Sequence, residues 1–365
     1  MLARSRRIYL KNGIQFETPL LVPGFSSMAM GQLLHETTDR KVELTPCSIV
    51  HTQIHTEFIP EVFLVSAYDI HHLLLTDSES FSHEFKSSRY SKPRFLFIDS
   101  GWYEKQKNSQ GAVIVEGQAL ELPWDEAAYR DTIDALDRDI PAVVVGYDHP
   151  GAYPEQIAHA QDFSGDHPEF AFTILLKAPE DSRFHEFDGL SQKDASNLRA
   201  FDIIGVTEKE LGESILERLV TLANFRKQLD AAEVDRPIHV FGGLDPLYTP
   251  LLFAAGGEIF DGLGWLRYAY IEGMSMHREA GAILKYSPDQ ALSRSMTLVQ
   301  FDNLSELLRL ADNLKVFFNT KGDWQVFNTK GDPAKGDRQV FQSIGDHLKH
   351  IHHILEASLE MNHGR

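Results

Sequence analysis

Eight short runs of consecutive apolar residues recur through the first 265 positions of the chain, and most of them end on Gly, Ser, Asp or Thr. They are PLLVPGFS (19–26), VFLVSAY (62–68), RFLFIDS (94–100), AVVVGYDH (142–149), FAFTILLKA (170–178), DIIGVT (202–207), IHVFGG (238–243) and EIFDGLGW (258–265). Unbroken rather than alternating hydrophobicity suits parallel strands that are covered on both faces. Between the runs lie stretches with helical spacing. PWDEAAYRDTIDALDRD (123–139) opens with Pro and acids as helix starts prefer, and YPEQIAHAQDF (153–163) and a longer run at 208–232 follow the same period. Eight strands alternating with helices predict an α/β fold, a (β/α)8 TIM barrel. A doubly wound dinucleotide-binding sheet would want a Gly-x-Gly-x-x-Gly turn after its first strand, and PGFSSMAMG does not supply one.

Beyond about residue 287 the pattern changes. Residues 287–318 and 341–361 read as helices, so the chain is expected to divide into a barrel, 1–286, and a C-terminal helical extension, 287–365. Between those helices, at about 316–341, a segment is duplicated: VFFNTKGDWQ, VFNTKGDPAKGDRQ, then VFQSIGD. Such polar, Gly- and Asp-rich copies predict hairpin turns or a loop.

Composition narrows the functional classes. No apolar run approaches the roughly 18 residues that span a bilayer, and the start MLARSRRIYLKNG has no apolar segment of a signal peptide. Cys47 is the only cysteine, which excludes an intrachain disulfide and any multi-cysteine metal site. A cytoplasmic protein with no membrane partner is expected. The net charge of −18 argues against a broadly basic nucleic-acid surface, though not against a local one.

In a barrel of this kind catalytic groups come from the C-terminal ends of strands. Those ends carry Ser66 and Asp69, Asp99, Asp148, Lys177, Thr207, Gly242 and Gly243, and Asp261. Three carboxylates would therefore converge on one pocket, where crowded like charges raise at least one pKa and separate acid from base. On the residues alone, Asp99 in FIDSGWYE and Asp148 in GYDHP serve equally well as turn formers, and Phe241 as plain core. Asp261 stands apart, because a carboxylate inside an apolar strand costs several kcal/mol unless something compensates it.

From Arg236 to Ala269 the text RPIHVFGGLDPLYTPLLFAAGGEIFDGLGWLRYA resembles the tRNA-guanine transglycosylase family, in which Arg-Pro and a glycine-ended strand precede Phe-Asp by the same interval. The resemblance implies that Asp261 is a nucleophile and that Asp99, in a match to the family's Asp-Ser-Gly-Gly motif, is a general acid/base. It further implies that Asp148 recognises the base, that Tyr103 and Phe241 sandwich it, and that Gly205 offers backbone contacts from a turn. Arg267 falls on an arginine also found in bacterial members, Gly242 and Arg267 are further candidates for substrate binding, and ETPLLVPGFS is similar to the family's N-terminal strand. The matches are collinear over residues 18–269.

The resemblance has three departures. The family's zinc-binding cysteines are missing, so no metal and no cofactor is expected, and the usual docking and dimer geometry need not carry over; a homodimer or a partner subunit stays open. His347 and His350 in HLKHIHH fit a solvated helix face better than a metal site. Lys177 stands where the family has a glutamine, and a cation cannot reproduce an amide's paired donor and acceptor. Trp102 replaces the second glycine of the turn.

The missing zinc with retained carboxylates resembles the family's divergent branch that inserts 7-deazaguanine bases into DNA. The partners expected are thus a nucleic acid, tRNA or DNA, and a free guanine or 7-deazaguanine base. Arg267, Arg278 and the lysines of the duplicated segment are expected to meet phosphate, whereas KSSRYSKPR (86–94) precedes its strand and belongs on the far face. Competing readings are a nucleoside or glycoside hydrolase with the same carboxylates, a non-catalytic 7-deazaguanine-binding subunit, and metal-dependent hydrolysis drawing on HTQIH (51–55) with His71 and His72.

Overall fold

A computed structural model describes residues 1–26, 61–73, 94–108, 114–115, 118–119, 123–287, 292–328 and 344–362. The chain opens with an antiparallel hairpin, β1 (Arg7–Tyr9) and β2 (Gln15–Glu17), followed by β3 (Leu20–Pro23), β4 (Val62–Ser66) and β5 (Phe95–Asp99). Two short paired strands, β6 (Ile114–Val115) and β7 (Gln118–Ala119), precede β8 (Ala142–Val145), β9 (Ala171–Leu176), β10 (Ile203–Thr207), β11 (Ile238–Phe241) and β12 (Ile259–Gly262). A second antiparallel hairpin, β13 (Tyr268–Ile271) with β14 (Met274–His277), follows.

Eight of these strands form one parallel sheet in the order β3-β12-β11-β10-β9-β8-β5-β4. The bridge Gly24↔Leu64 brings its two edges together, so the sheet is an almost closed barrel with helices outside. Each of the eight apolar runs holds one barrel strand. The alternation within a strand sorts residues by face. Val62, Phe95, Phe97, Val143, Val145, Ala171, Leu175, Ile203, Phe241 and Ile259 fill the interior, while the alternate positions join the layer beneath the helices.

The β1–β2 hairpin closes the N-terminal end. Ile8, Leu10, Ile14 and Phe16 belong to the interior cluster, and Phe16 stacks on Phe95 with centroids 5.5 Å apart. The Lys11 amide donates to Asp202 Oδ1 at 3.1 Å and Asn12 Nδ2 to the Ala142 carbonyl at 2.9 Å, which pins the hairpin across the strand starts. The hairpin thus covers the strand starts, beside a cavity lined by Gln15, Phe16, Leu20, Arg94 and Phe95. Arg94, the described end of the basic run, pairs with Glu61 and donates to the Gln15 carbonyl on that side, as expected.

The helix expected from 208 begins instead at Ile215. Ser214 and Glu217 form a capping box: the Glu217 amide donates to Ser214 Oγ at 3.2 Å and the Ser214 amide to Glu217 Oε2 at 2.8 Å. Residues Glu208–Glu210 make a single 3-10 turn, which places a carboxylate at the mouth.

The C-terminal helices Leu292–Asn319 and Ile344–Asn362 pack on the barrel: Leu307, Leu314, Phe317, Leu348 and Leu355 join the cluster of its outer layer, and Val299 packs in a small cluster with Ala269 and Ala282. The first copy of the duplicated segment is not a hairpin. It is the end of the first of these helices, a turn through Lys321 and Gly322 at positive φ, and a 3-10 turn, Trp324–Phe327, whose Trp324 and Phe327 pack against Phe317. The second copy, which begins at Val326, lies outside the described residues from Thr329 on, as does HTQIH. No helix among the described residues is long and apolar enough to cross a membrane.

Candidate active site at the barrel mouth

Asp261 occupies the third position of β12, opposite Val22 of β3, and is 8% exposed. Its buried position is compensated on one oxygen. Oδ1 accepts the Gly242 amide at 3.0 Å and lies 3.2 Å from His239 Nε2. Because a carboxylate only accepts, Nε2 carries the hydrogen; the other nitrogen, Nδ1, is buried without a hydrogen-bond partner among the described residues. No hydrogen bond from a described residue reaches Oδ2. Gly242 supplies its amide from φ +77°, a conformation that L side chains rarely adopt.

His239 was not anticipated. It is fully buried, two residues before Phe241 on the same strand face, and it stacks on the Phe241 ring with centroids 3.8 Å apart and meets Phe97 edge-on at 5.1 Å. Phe241 is therefore a floor of the mouth rather than a free-standing plate, and no described contact joins it to Tyr103. Gly205 lies inside β10 rather than at a turn, which corrects that expectation. A Cβ there would sit 2.6 Å from Phe241 Cε2, so the missing side chain makes room for the ring.

Asp99 ends β5 and is half-buried. Its carboxyl is held well above the ordinary aspartate range, first by burial and then by the charges of Glu104, Asp148 and Asp261, against a weaker pull from the Ser100 amide. The three predicted carboxylates thus share one field. Asp148, in the loop after β8, has both oxygens engaged: Oδ2 accepts from Ser100 Oγ at 2.5 Å and Oδ1 lies 3.2 Å from Lys177 Nζ. Each oxygen retains acceptor capacity for a ligand.

Lys177 is the cation of the site. Burial disfavours its charge, but Asp148 and Glu210 outweigh burial and raise its pKa. Nζ is 2.5 Å from Glu210 Oε1 and donates to Thr207 Oγ1 at 3.2 Å. Gln156 fixes its backbone, accepting the Lys177 amide at 2.9 Å and donating to its carbonyl at 3.0 Å. The 3-10 turn at 208–210 is what brings Glu210 here, where Oε2 also accepts the Ala178 amide at 2.9 Å.

Tyr103 and Arg267 meet on the rim. Arg267 Nη2 donates to Tyr103 Oη at 2.5 Å, and Arg267 is exposed. Trp102 does not replace the glycine that the turn requires. That glycine is Gly101, at φ +80°, where a Cβ would lie 2.6 Å from Tyr68 Cβ. Trp102 starts the helix Trp102–Asn108 and leans edge-on against Tyr147 at 5.9 Å. Arg278 donates to the Leu266 carbonyl at 3.3 Å.

His71 and His72 are engaged in packing: His71 Nδ1 lies 2.9 Å from Thr132 Oγ1, and both rings sit edge-on to Trp124. His347 and His350 lie on an exposed helix face. Among the described residues no group of three His, Cys, Asp or Glu is arranged to hold a metal.

The fold and this mouth define the class: a parallel α/β barrel whose C-terminal end gathers three aspartates, a half-buried lysine and a buried histidine. The chain matches no protein-family model, and no curated protein matches it.

Proposed function

We propose that this protein exchanges guanine in a nucleic acid, tRNA or DNA, for a 7-deazaguanine base through a covalent aspartyl–sugar intermediate. The reading joins the motif resemblance to the chemistry available at the mouth. Its main support is one observation: Asp261 of β12 and Asp99 at the end of β5 belong to one barrel sheet, near enough that the charge of Asp261 is among the causes that raise the Asp99 carboxyl above its ordinary range. Retaining exchange at an N-glycosidic bond needs such a pair, one carboxylate to bond the sugar and one acid to protonate the departing base.

In the first half-reaction Asp261 Oδ2 attacks C1′ from the face opposite the base. The C1′–N bond breaks, its electron pair goes to the base, and Asp99 donates the proton that neutralises the leaving group. In the second half the incoming base gives its ring N–H proton to Asp99 and attacks C1′, and the ester bond to Asp261 breaks. Two displacements retain the configuration. His239 and Gly242 keep Oδ1 occupied and aim Oδ2. Asp148 accepts from the base's N–H edge, Lys177 exchanges its bond to Thr207 for one to the base's carbonyl, Tyr103 offers a stacking face, Phe241 forms the floor, and Arg267 reaches the phosphate backbone.

The test is incorporation of labelled guanine, or of a 7-deazaguanine, into tRNA and separately into DNA. Incorporation by the wild type that Asp261→Ala abolishes is expected. Full incorporation by Asp261→Ala contradicts the assignment, and release of free base without a polymer requirement would favour a hydrolase.

A further inference from the structure

The seam between β3 and β4 is where the barrel closes with least backbone pairing: the Gly24↔Leu64 bridge and the Phe25 amide donating to the Leu64 carbonyl at 2.8 Å. On its other side β4 pairs with β5 over five residues, Val62↔Phe95 through Ser66↔Asp99. At the catalytic end of the seam a single carboxylate bridges the gap. Glu104, from the helix Trp102–Asn108, accepts Ser26 Oγ on Oε1 at 2.5 Å and Ser66 Oγ on Oε2 at 3.0 Å. Ser26 follows β3 and Ser66 ends β4, so one side chain ties both edges.

Glu104 is only 3% exposed, and no cation pairs with it among the described residues. The ionisable groups facing it are Asp69 and Tyr68 of the helix Ala67–Leu73 and Asp99 of β5, all of them acids. Burial, then the charge of Asp69, pushes the Glu104 carboxyl up to about 7, with the two serine hydroxyls pulling the other way. Ser66 and Asp99 are register partners on adjacent parallel strands, so a carboxylate bonded to Ser66 stands beside Asp99.

We propose that Glu104 is a positioning residue for the base exchange: it fastens the β3–β4 seam through Ser26 and Ser66 and, once ionised, sets a negative charge against Asp99, so that Asp99 holds its proton until the base departs. The inference rests on the proposed function for its purpose but not for its test. Glutamine at 104 can accept from one serine and donate to the other, so Glu104→Gln keeps the fastening and removes the charge. The full chain, labelled with 13C at the aspartate carboxyls, is titrated by NMR as wild type and as Glu104→Gln, with the Asp99 signal assigned through Asp99→Asn.

The Asp99 midpoint is expected to fall by about one pH unit in Glu104→Gln, with the alkaline limb of the exchange pH profile moving down by the same amount. An unchanged midpoint overturns the proposal whether or not the chain turns over. A shifted midpoint in a chain that exchanges no base supports the coupling and contradicts the function alone. Should Glu104→Gln fail to fold, Glu104→Leu, uncharged and of similar size, is titrated in its place; the Asp99 midpoint falls, and an unchanged midpoint overturns the proposal.

Discussion

His239 places Nε2 3.2 Å from Oδ1 of Asp261, deep in the barrel and on the same carboxylate oxygen that the Gly242 amide reaches at 3.0 Å. Two donors on one oxygen orient the carboxylate, and in the proposed exchange the other oxygen attacks the sugar. Removing the imidazole donor while keeping an aromatic ring, as in His239→Phe, should cost the hydrogen bond to a charged group, about 1.5–3 kcal/mol. The expected result is a fall of roughly 10- to 100-fold in kcat for base exchange with little change in KM. A raised KM at unchanged kcat would point to base binding instead.

Lys177 stands between two acids, 3.2 Å from Asp148 and 2.5 Å from Glu210. Lys177→Met would leave these carboxylates facing each other without a cation, and breaking a buried pair in this way costs about 3–5 kcal/mol. A marked drop in Tm is expected, readable by thermal unfolding. Lys177→Gln should be milder in stability and should change which base is accepted, measured as kcat/KM for guanine against a 7-deazaguanine. Identical selectivity in Lys177→Gln and the wild type would remove Lys177 from base recognition.

Gly205→Ala tests the floor. The added methyl would meet Phe241 Cε2 at 2.6 Å and the Ile174 carbonyl oxygen at 3.2 Å, and Ile174 belongs to the neighbouring β9. Phe241 must shift off His239, at an overpacking cost of about 1–3 kcal/mol. Weaker base binding together with a lower Tm is expected. A variant with wild-type stability and affinity would show that the ring has room elsewhere.

The pH dependence of stability follows from the buried acids. Glu104 is raised from 4.5 to about 7, so its folded form binds a proton that the unfolded form has released. Its contribution is complete below about pH 4.5 and is lost as pH rises through about 7, on the order of 3 kcal/mol by linkage. Asp99 and Glu258 are raised as well and act with the same sign. His72, His185 and His352, lowered chiefly by burial, act with the opposite sign up to about pH 6.5. The acids therefore dominate between about pH 7 and pH 8, where the Tm should decline and Glu104→Gln should flatten that decline. A Tm that climbs across this interval would contradict the burial of these groups.

Much of the barrel was legible because parallel strands covered on both faces read as unbroken apolar runs, and no other element explains eight of them at this spacing. Asp261 could be found for the same reason: a carboxylate between Phe260 and Gly262 violates its surroundings. His239 violates them less, since an imidazole stacked on Phe241 passes for one more aromatic in the core; its period-two relation to Phe241 was the available signal. The late start of the helix at Ile215 was written in Ser214 and Glu217, a capping-box pair that outweighs the helical spacing upstream. That misjudged boundary hid Glu210. Glu104 had no local signal at all, because the seven-residue helix carrying it is too short to show a period and its serine partners come from strands 78 and 38 residues away.

The most direct test of the account is to trap the intermediate. Full-length protein is incubated with tRNA or DNA in the absence of free base, quenched, digested, and examined by mass spectrometry for a sugar-linked peptide. The account predicts an adduct on the peptide containing Asp261, absent in Asp261→Asn and discharged when free base is added before quenching. Base exchange that proceeds with the adduct on another residue, or with none on Asp261, would contradict it.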